Sequence, residues 1–129
     1  MTHRFSLRVY YEDTDFGGLV YYANYLKFIE RARSEWVRSL GIDQKTLKSE
    51  HGVVFAVRHL EADYIVPAQF DDLLEVRTQV ERITAARLIL SQEVCLCEEL
   101  LLRARVTLVA MDVRGKPKRL PAEIRLLQP

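Results

Sequence analysis

The longest helical pattern in the chain runs from Tyr22 to Leu40, and it constrains the fold more than any other segment. Apolar side chains recur there every three or four residues, which is the spacing of one buried helix face: Tyr22, Tyr25, Leu26, Ile29, Ala32, Trp36, Val37 and Leu40. Gly41 then predicts the end of the helix. Such a helix spans roughly 27 Å, about the width of a small domain. The rest of the chain is therefore expected to pack on it.

Most of the remaining chain alternates apolar and polar side chains, and this period of two predicts β-strands. Turn residues separate the alternating segments, which are 5–12, 53–66, 74–81, 87–97 and 102–110. Strands joined by short turns pair as antiparallel neighbours. Three or four of the later segments are therefore expected to form a meander, among whose strands the first segment can insert. Short helices are predicted over 44–50, after the N-cap residue Asp43, and over 122–127.

A long helix beside an antiparallel sheet predicts a two-layer α+β domain, in which the helix covers the apolar face of the sheet. The sequence contains no repeat, linker or low-complexity segment, and 129 residues can bury a core without disulfide bonds. We therefore predict a single domain over residues 1–129.

Charge and hydropathy exclude several classes of function. The chain has 19 basic and 18 acidic residues, with a formal net charge of +1, so no basic excess indicates nucleic-acid binding. The N-terminal segment is charged and lacks the apolar core of an export signal. No apolar run approaches the ~20 residues of a membrane span. We expect a cytoplasmic protein.

The cysteines and histidines do not form the pattern of a metal site or a nucleophilic catalyst. Cys95 and Cys97 lie two residues apart in a predicted strand, where they would share one face but stand too far apart for easy bridging. The three histidines, His3, His51 and His59, are widely spaced, and there is no Gly-x-Ser-x-Gly motif. We predict buried or half-buried thiols, no metal site and no cofactor.

An acidic loop with two glycines leads directly into the long helix. Its acids are Glu12, Asp13 and Asp15, and Gly17 and Gly18 follow them. One interpretation is a solvated turn with a helix-capping acid. The other is a catalytic carboxylate, because glycines let the backbone approach a ligand and the first helical turn has unpaired N–H groups. An acyl carbonyl there would be polarised as in an oxyanion hole, with Asp15 on its other side.

Two other functions of the Asp13-x-Asp15 pair fit the sequence less well. Aspartyl phosphotransferases present such a pair after a strand of a parallel core, whereas the strands predicted here are antiparallel. An EF-hand loop that began at Asp13 would need a glutamate at its twelfth position, where this chain has Asn24.

The segments around this loop resemble the hotdog-fold acyl-CoA thioesterases. The resemblance is closest to the YbgC type, which is associated with the Tol–Pal system and related to 4-hydroxybenzoyl-CoA thioesterase. It extends over nearly the whole chain and rests on residues 11–25 (YEDTDFGGLVYYANY), 30–36 (ERARSEW), 63–68 (DYIVPA), 71–74 (DDLL) and 115–117 (GKP). It implies a hotdog fold, a long central helix wrapped by an antiparallel sheet.

The resemblance also implies a site. The second acid of the Asp-x-Asp loop is catalytic in this family and corresponds to Asp15. The backbone N–H that polarises the thioester carbonyl corresponds to Tyr22, where many YbgC-type members have histidine and the hydroxybenzoyl branch an aromatic residue. Phe16 replaces a smaller residue and is expected to narrow the acyl pocket. The remaining candidates for substrate and CoA binding are Gly17, Gly18, Arg58, Arg82, Arg87 and Lys116.

Thioester chemistry suits such a site. The leaving thiolate departs easily, so a general acid is not essential, and a carboxylate needs no deprotonation to act as a nucleophile. The first hypothesis is therefore an acyl-CoA thioesterase, with Asp15 as nucleophile or general base, acting on CoA or acyl-carrier-protein thioesters as a homodimer or homotetramer. The second is a non-catalytic hotdog protein that binds acyl groups or envelope-complex partners. A hotdog dehydratase would need a histidine–acid pair near the helix, and none is apparent.

Overall fold

The computed structural model describes residues 1–127, and it consists of one five-stranded antiparallel sheet and three helices within that range. The last two residues of the predicted domain lie outside the described residues. The elements in chain order are β1 His3–Arg8, α1 Asn24–Ser39, α2 Gln44–His51, β2 Val54–Tyr64, β3 Leu73–Ile83, β4 Arg87–Leu96, β5 Glu99–Met111 and α3 Ala122–Arg125. The predicted α+β class is confirmed.

The strand order is β1-β3-β4-β5-β2. Strands β3, β4 and β5 form the predicted meander, but β2 pairs with β5 rather than with β3, the next strand in the chain. The link over residues 65–72 is longer than a tight turn and crosses the end of the sheet. The first strand lies at the edge beside β3 and does not insert among the others.

The buried face of α1 differs in part from the predicted one. Five residues of the predicted face are buried as expected: Tyr25, Ile29, Ala32, Trp36 and Val37. Phe28 and Arg33 are also buried, although the predicted face did not include them. Leu26 and Tyr22 are exposed, so their predicted burial was wrong. Tyr22 is exposed because it precedes the first helical residue. Arg33 is buried together with a hydrogen-bond partner, the side chain of Gln92.

Local hydrogen bonds set two boundaries that periodicity missed. The first strand ends at Arg8 rather than at residue 12, because residues 11–13 form a single 3₁₀ turn. The helix begins at Asn24 rather than Tyr22, because the Asn24 N–H closes a turn onto the Tyr21 carbonyl at 2.8 Å. The predicted cap of α2 is confirmed: Asp43 Oδ1 accepts the Lys45 N–H at 2.9 Å, and such backbone bonds lower the pKa of Asp43.

The two cysteines do not share a face as expected. Cys95 is buried in β4, which raises the pKa of its thiol, whereas Cys97 is exposed in the following turn with φ of 54°. The strand ends at Leu96, so its alternation does not extend to Cys97. Among the helices of residues 1–127, none has both the length and the apolar character needed to cross a membrane.

Candidate active site

The two aspartates of the acidic loop have different surroundings. Asp13 is only 6 % exposed. Its Oδ2 accepts the Tyr10 N–H at 2.8 Å, and its Oδ1 accepts a hydrogen bond from the Asn24 side-chain amide at 3.0 Å. Because Asn24 is the first residue of α1, Asp13 fastens the loop to the start of the helix. This role of Asp13 was not predicted from the sequence, although the family motif includes both residues.

Asp15 is exposed, and its carboxylate is held from one side. Its Oδ1 accepts the N–H groups of Gly17 at 2.9 Å and Leu19 at 3.2 Å. Within residues 1–127, its Oδ2 has no hydrogen-bond donor. These bonds orient the carboxylate and leave one oxygen available to a ligand.

The geometry of this loop explains why glycine occupies positions 17 and 18. Gly18 has φ of +81°, a left-handed conformation that glycine adopts without strain. A Cβ at Gly17 would lie 3.3 Å from Asp15 Oδ1, so a larger residue there would crowd the carboxylate. Phe16, between Asp15 and Gly17, is fully exposed and lies outside the adjacent cavity. The effect of Phe16 on the acyl pocket therefore stays a prediction.

The turn before α1 presents a fixed backbone donor. The Tyr21 N–H donates to the Asp13 carbonyl at 2.8 Å, and the Tyr21 carbonyl accepts the Asn24 N–H at 2.8 Å. That carbonyl and the Tyr22 N–H belong to the same peptide unit, so these two bonds set the direction of the Tyr22 N–H. The Tyr22 N–H itself has no acceptor among the described residues.

A cavity of about 400 Å³ brings Asp15 and Tyr22 together. One wall is the loop and the start of α1, and the other is the end of β2 with the segment after it. The wall residues besides Asp15 and Tyr22 are Leu19, Val20, Tyr21, Tyr25, Tyr64, Ile65, Val66 and Pro67. The two predicted catalytic residues therefore share one partly apolar cavity.

Aromatic side chains dominate the floor of this cavity. The Tyr64 ring meets the Tyr25 ring edge-on at 5.5 Å and the Tyr22 ring at 6.4 Å. The Tyr25 hydroxyl accepts the Ala68 N–H at 2.9 Å. Burial raises the pKa of both Tyr25 and Tyr64. Neither tyrosine was predicted from the sequence to be a site residue, although both lie in the segments that carry the family resemblance.

The predicted CoA-binding residues do not gather at this cavity. Arg82 lies near the end of β3, Arg87 begins β4, and Lys116 follows β5, so all three lie at the ends of the strands that are far from the cavity. The length of β3 alone separates these two ends of the sheet by about 30 Å. Arg58 lies at a register shift within β2. One protomer thus does not place these cations beside Asp15.

Comparisons with known proteins identify the family. Residues 17–103 match the thioesterase superfamily. The acyl-CoA thioesterase YbgC of Haemophilus influenzae is 43% identical over 122 residues, which cover 94% of this chain and 90% of the relative. The 1,4-dihydroxy-2-naphthoyl-CoA hydrolase of Nostoc punctiforme is 27% identical over 96% of this chain and 84% of its own.

Solved structures show the same fold. The crystal structure of a probable thioesterase from Bartonella henselae superimposes with a TM-score of 0.90 at 42% identity, covering 94% of this chain and all of the other. A 1,4-dihydroxy-2-naphthoyl-CoA thioesterase from Synechocystis superimposes with a TM-score of 0.88 at 26% identity, over 97% and 93% of the two chains. The chain therefore belongs to the thioesterase superfamily, and within it to the hotdog-fold acyl-CoA thioesterases of the YbgC type that its motifs indicated.

Proposed function

We propose that the protein hydrolyses acyl-CoA thioesters in the cavity between the acidic loop and the end of β2. Asp15 acts there as nucleophile or general base, and the Tyr22 N–H polarises the thioester carbonyl. One observation carries the proposal: Asp15 and Tyr22, whose Oδ2 and N–H have no partners among residues 1–127, line the same cavity.

The chemistry needs only these two groups and water. In the nucleophilic route, an Asp15 oxygen attacks the carbonyl carbon, and the oxyanion that forms accepts the Tyr22 N–H. The tetrahedral intermediate then expels the CoA thiolate, which takes a proton from solvent, and water hydrolyses the mixed anhydride. In the general-base route, Asp15 takes a proton from the water that attacks. Loss of the backbone donor would cost about 10²–10³ in rate by either route.

The cavity walls favour an apolar acyl group. Leu19, Val20, Ile65 and Val66 supply aliphatic contacts, and the tyrosines supply aromatic ones. The names of the relatives include both a general acyl-CoA thioesterase and a hydrolase of an aromatic acyl-CoA. A panel of short, long and aromatic acyl thioesters is therefore the appropriate substrate set, with acyl-carrier-protein thioesters as the alternative donor.

We propose a homodimer, or a dimer of dimers, as the assembled enzyme. Within the described residues, β2 pairs only with β5, so its outer edge has backbone groups open to another strand. Val57 on β2 is an exposed apolar side chain of that edge strand. A second copy would also give Arg58, Arg82 or Arg87 a route to the CoA phosphates. Light scattering would measure the assembly, and a monomer would contradict it.

The cytoplasm remains our proposed location. Cys95 and Cys97 are both free thiols, which are typical of proteins in a reducing compartment. A fractionation experiment that found the protein outside the cytoplasm would contradict this assignment.

Thiol release from the acyl-CoA panel tests the function, with wild type and Asp15→Asn measured side by side. We expect wild-type turnover that collapses in the folded variant. Tyr22, in place of the histidine common in the YbgC type, favours a second candidate, an acyl-binding protein without turnover. That candidate predicts acyl-CoA binding by wild type with no thiol release, a result that would overturn the enzyme assignment of these residues.

A further inference from the structure

Tyr64 connects the last residue of β2 to the turn before α1. Its hydroxyl donates a hydrogen bond to the Tyr22 carbonyl at 2.9 Å, and its ring meets the rings of Tyr22 and Tyr25 edge-on. These contacts join two chain segments 42 residues apart. The hydrogen bond is made to the carbonyl of Tyr22, the residue whose N–H is the carbonyl donor in the proposed function.

We propose that Tyr64 is a positioning residue that holds the carbonyl-polarising Tyr22 N–H in its working direction. This inference rests on the proposed function of Tyr22. The peptide unit that carries the Tyr22 N–H is held by the Asn24 N–H, which donates to the Tyr21 carbonyl. Tyr64 holds the next peptide unit, which carries the Tyr22 carbonyl. With both units held, the backbone rotations at Tyr22 are restricted.

The restriction matters because this turn is not within the helix. Tyr22 precedes the first helical residue and is 63 % exposed. Helical hydrogen bonds therefore do not fix its conformation. Backbone donors stabilise an oxyanion best when they are aligned before the reaction begins. A hydroxyl that holds the adjacent carbonyl supplies such alignment without touching the substrate's carbonyl oxygen.

The exposure of Tyr64 makes its positioning role distinguishable from a purely structural role. Tyr64 is 49 % exposed, so water can replace its hydroxyl at the Tyr22 carbonyl when the hydroxyl is removed. Tyr64→Phe keeps the ring contacts and deletes one partly exposed hydrogen bond. It should therefore change the melting temperature little, because surface substitutions of this kind usually have small effects.

Steady-state kinetics with the preferred thioester provide the first test. We expect kcat of Tyr64→Phe to fall about 10-fold, less than complete loss of a polarising donor would cost, with KM nearly unchanged. Tyr10→Phe is the matched control, because it deletes a hydroxyl from an exposed tyrosine that does not line the cavity. A rise in KM with unchanged kcat would overturn the proposal and make Tyr64 a binding-wall residue.

Infrared spectroscopy supplies a readout that a structural role would not move. The probe is a ¹³C-labelled acyl-CoA analogue in which a methylene replaces the thioester sulfur, so that the carbonyl binds but cannot be hydrolysed. We expect wild type and Tyr10→Phe to lower the carbonyl stretching frequency more than Tyr64→Phe does. Equal frequencies in all three would refute the role of Tyr64 alone. A wild type with neither turnover nor a frequency shift would instead refute the proposed function.

Discussion

The middle and the start of α1 differ in how their polar groups are bonded. In the middle of α1, Arg33 is buried and donates to Gln92 Oε1 at 3.1 Å. The Gln92 amide in turn donates to the Ile29 carbonyl and to Thr78 Oγ1, both at 3.0 Å. At the start of the same helix, Asp15 and Tyr22 line an open cavity. Asp15 Oδ2 and the Tyr22 N–H have no hydrogen-bond partner among residues 1–127.

This difference distinguishes a buried structural cluster of polar groups from a candidate functional site. A buried polar group that lacks a partner costs free energy, so the groups around Gln92 are bonded to one another. Burial also lowers the pKa of Arg33. At the helix start, water solvates the unused donor and acceptor until a ligand takes them. Substitutions in the middle of α1 should therefore affect stability, and substitutions at its start should affect turnover.

Asp15→Asn should have the largest effect. We expect kcat to fall by about 10²–10⁴, because the amide is neither a good nucleophile nor a base. The melting temperature should hold, since the amide oxygen can still accept the Gly17 and Leu19 N–H groups. Glu12→Gln, an exposed acid of the same loop, is the control and should retain full activity. Unchanged thiol release by Asp15→Asn would remove Asp15 from the chemistry.

Gln92→Leu should have the next largest effect, on stability. The substitution removes the oxygen that accepts from Arg33 and the amide that donates to Thr78, and both lie in a buried position. We expect the free energy of unfolding to fall by about 2–4 kcal/mol, measured by urea denaturation, while kcat of the folded enzyme stays close to wild type. Gln79→Leu on the exposed side of β3 is the matched control. Equal stability of the two variants would show that the buried cluster is dispensable.

Asp13→Asn should have an intermediate effect on both quantities. The asparagine keeps one side-chain oxygen and gains an NH₂ group. That NH₂ group would face either the Tyr10 N–H or the Asn24 amide, so two donors would meet and one hydrogen bond would be lost. We expect a loss of about 1–2 kcal/mol in stability and a several-fold lower kcat, since the loop is no longer fastened to α1. Unfolding and thiol-release measurements on one preparation test this. A stability like that of Asp15→Asn would contradict the distinction between the two acids.

The smallest effect should come from the charges on the outer face of the sheet. Glu75 accepts hydrogen bonds from Arg77 at 2.7 Å and Arg4 at 2.6 Å, which lower the pKa of Glu75. Its stabilising contribution is present above its unfolded pKa and is lost as pH falls through the lower folded value. Glu75→Gln should therefore be slightly less stable than wild type at pH 7 and equal to it below that value. A pH-independent difference in urea midpoints would refute this linkage.

Much of the fold could be predicted because local periodicity records burial. The helix pattern located α1 to within two residues at its start, and the alternating segments located all five strands. The position of β2 beside β5 could not be predicted, because the long link over residues 65–72 permits several strand orders. The burial of Arg33 could not be predicted for a similar reason, since its partner Gln92 lies 59 residues away.

The sequence by itself determined the element types, the two-layer class and the acidic loop before the helix, since each depends on neighbouring residues. It also determined the family, through motifs that extend over most of the chain. Only the tertiary structure decided which aspartate is buried and which faces a cavity, and that Tyr64 lies against the carbonyl of Tyr22. Hydrogen bonds between distant segments make these distinctions, and no local pattern records where the chain crosses the end of its sheet.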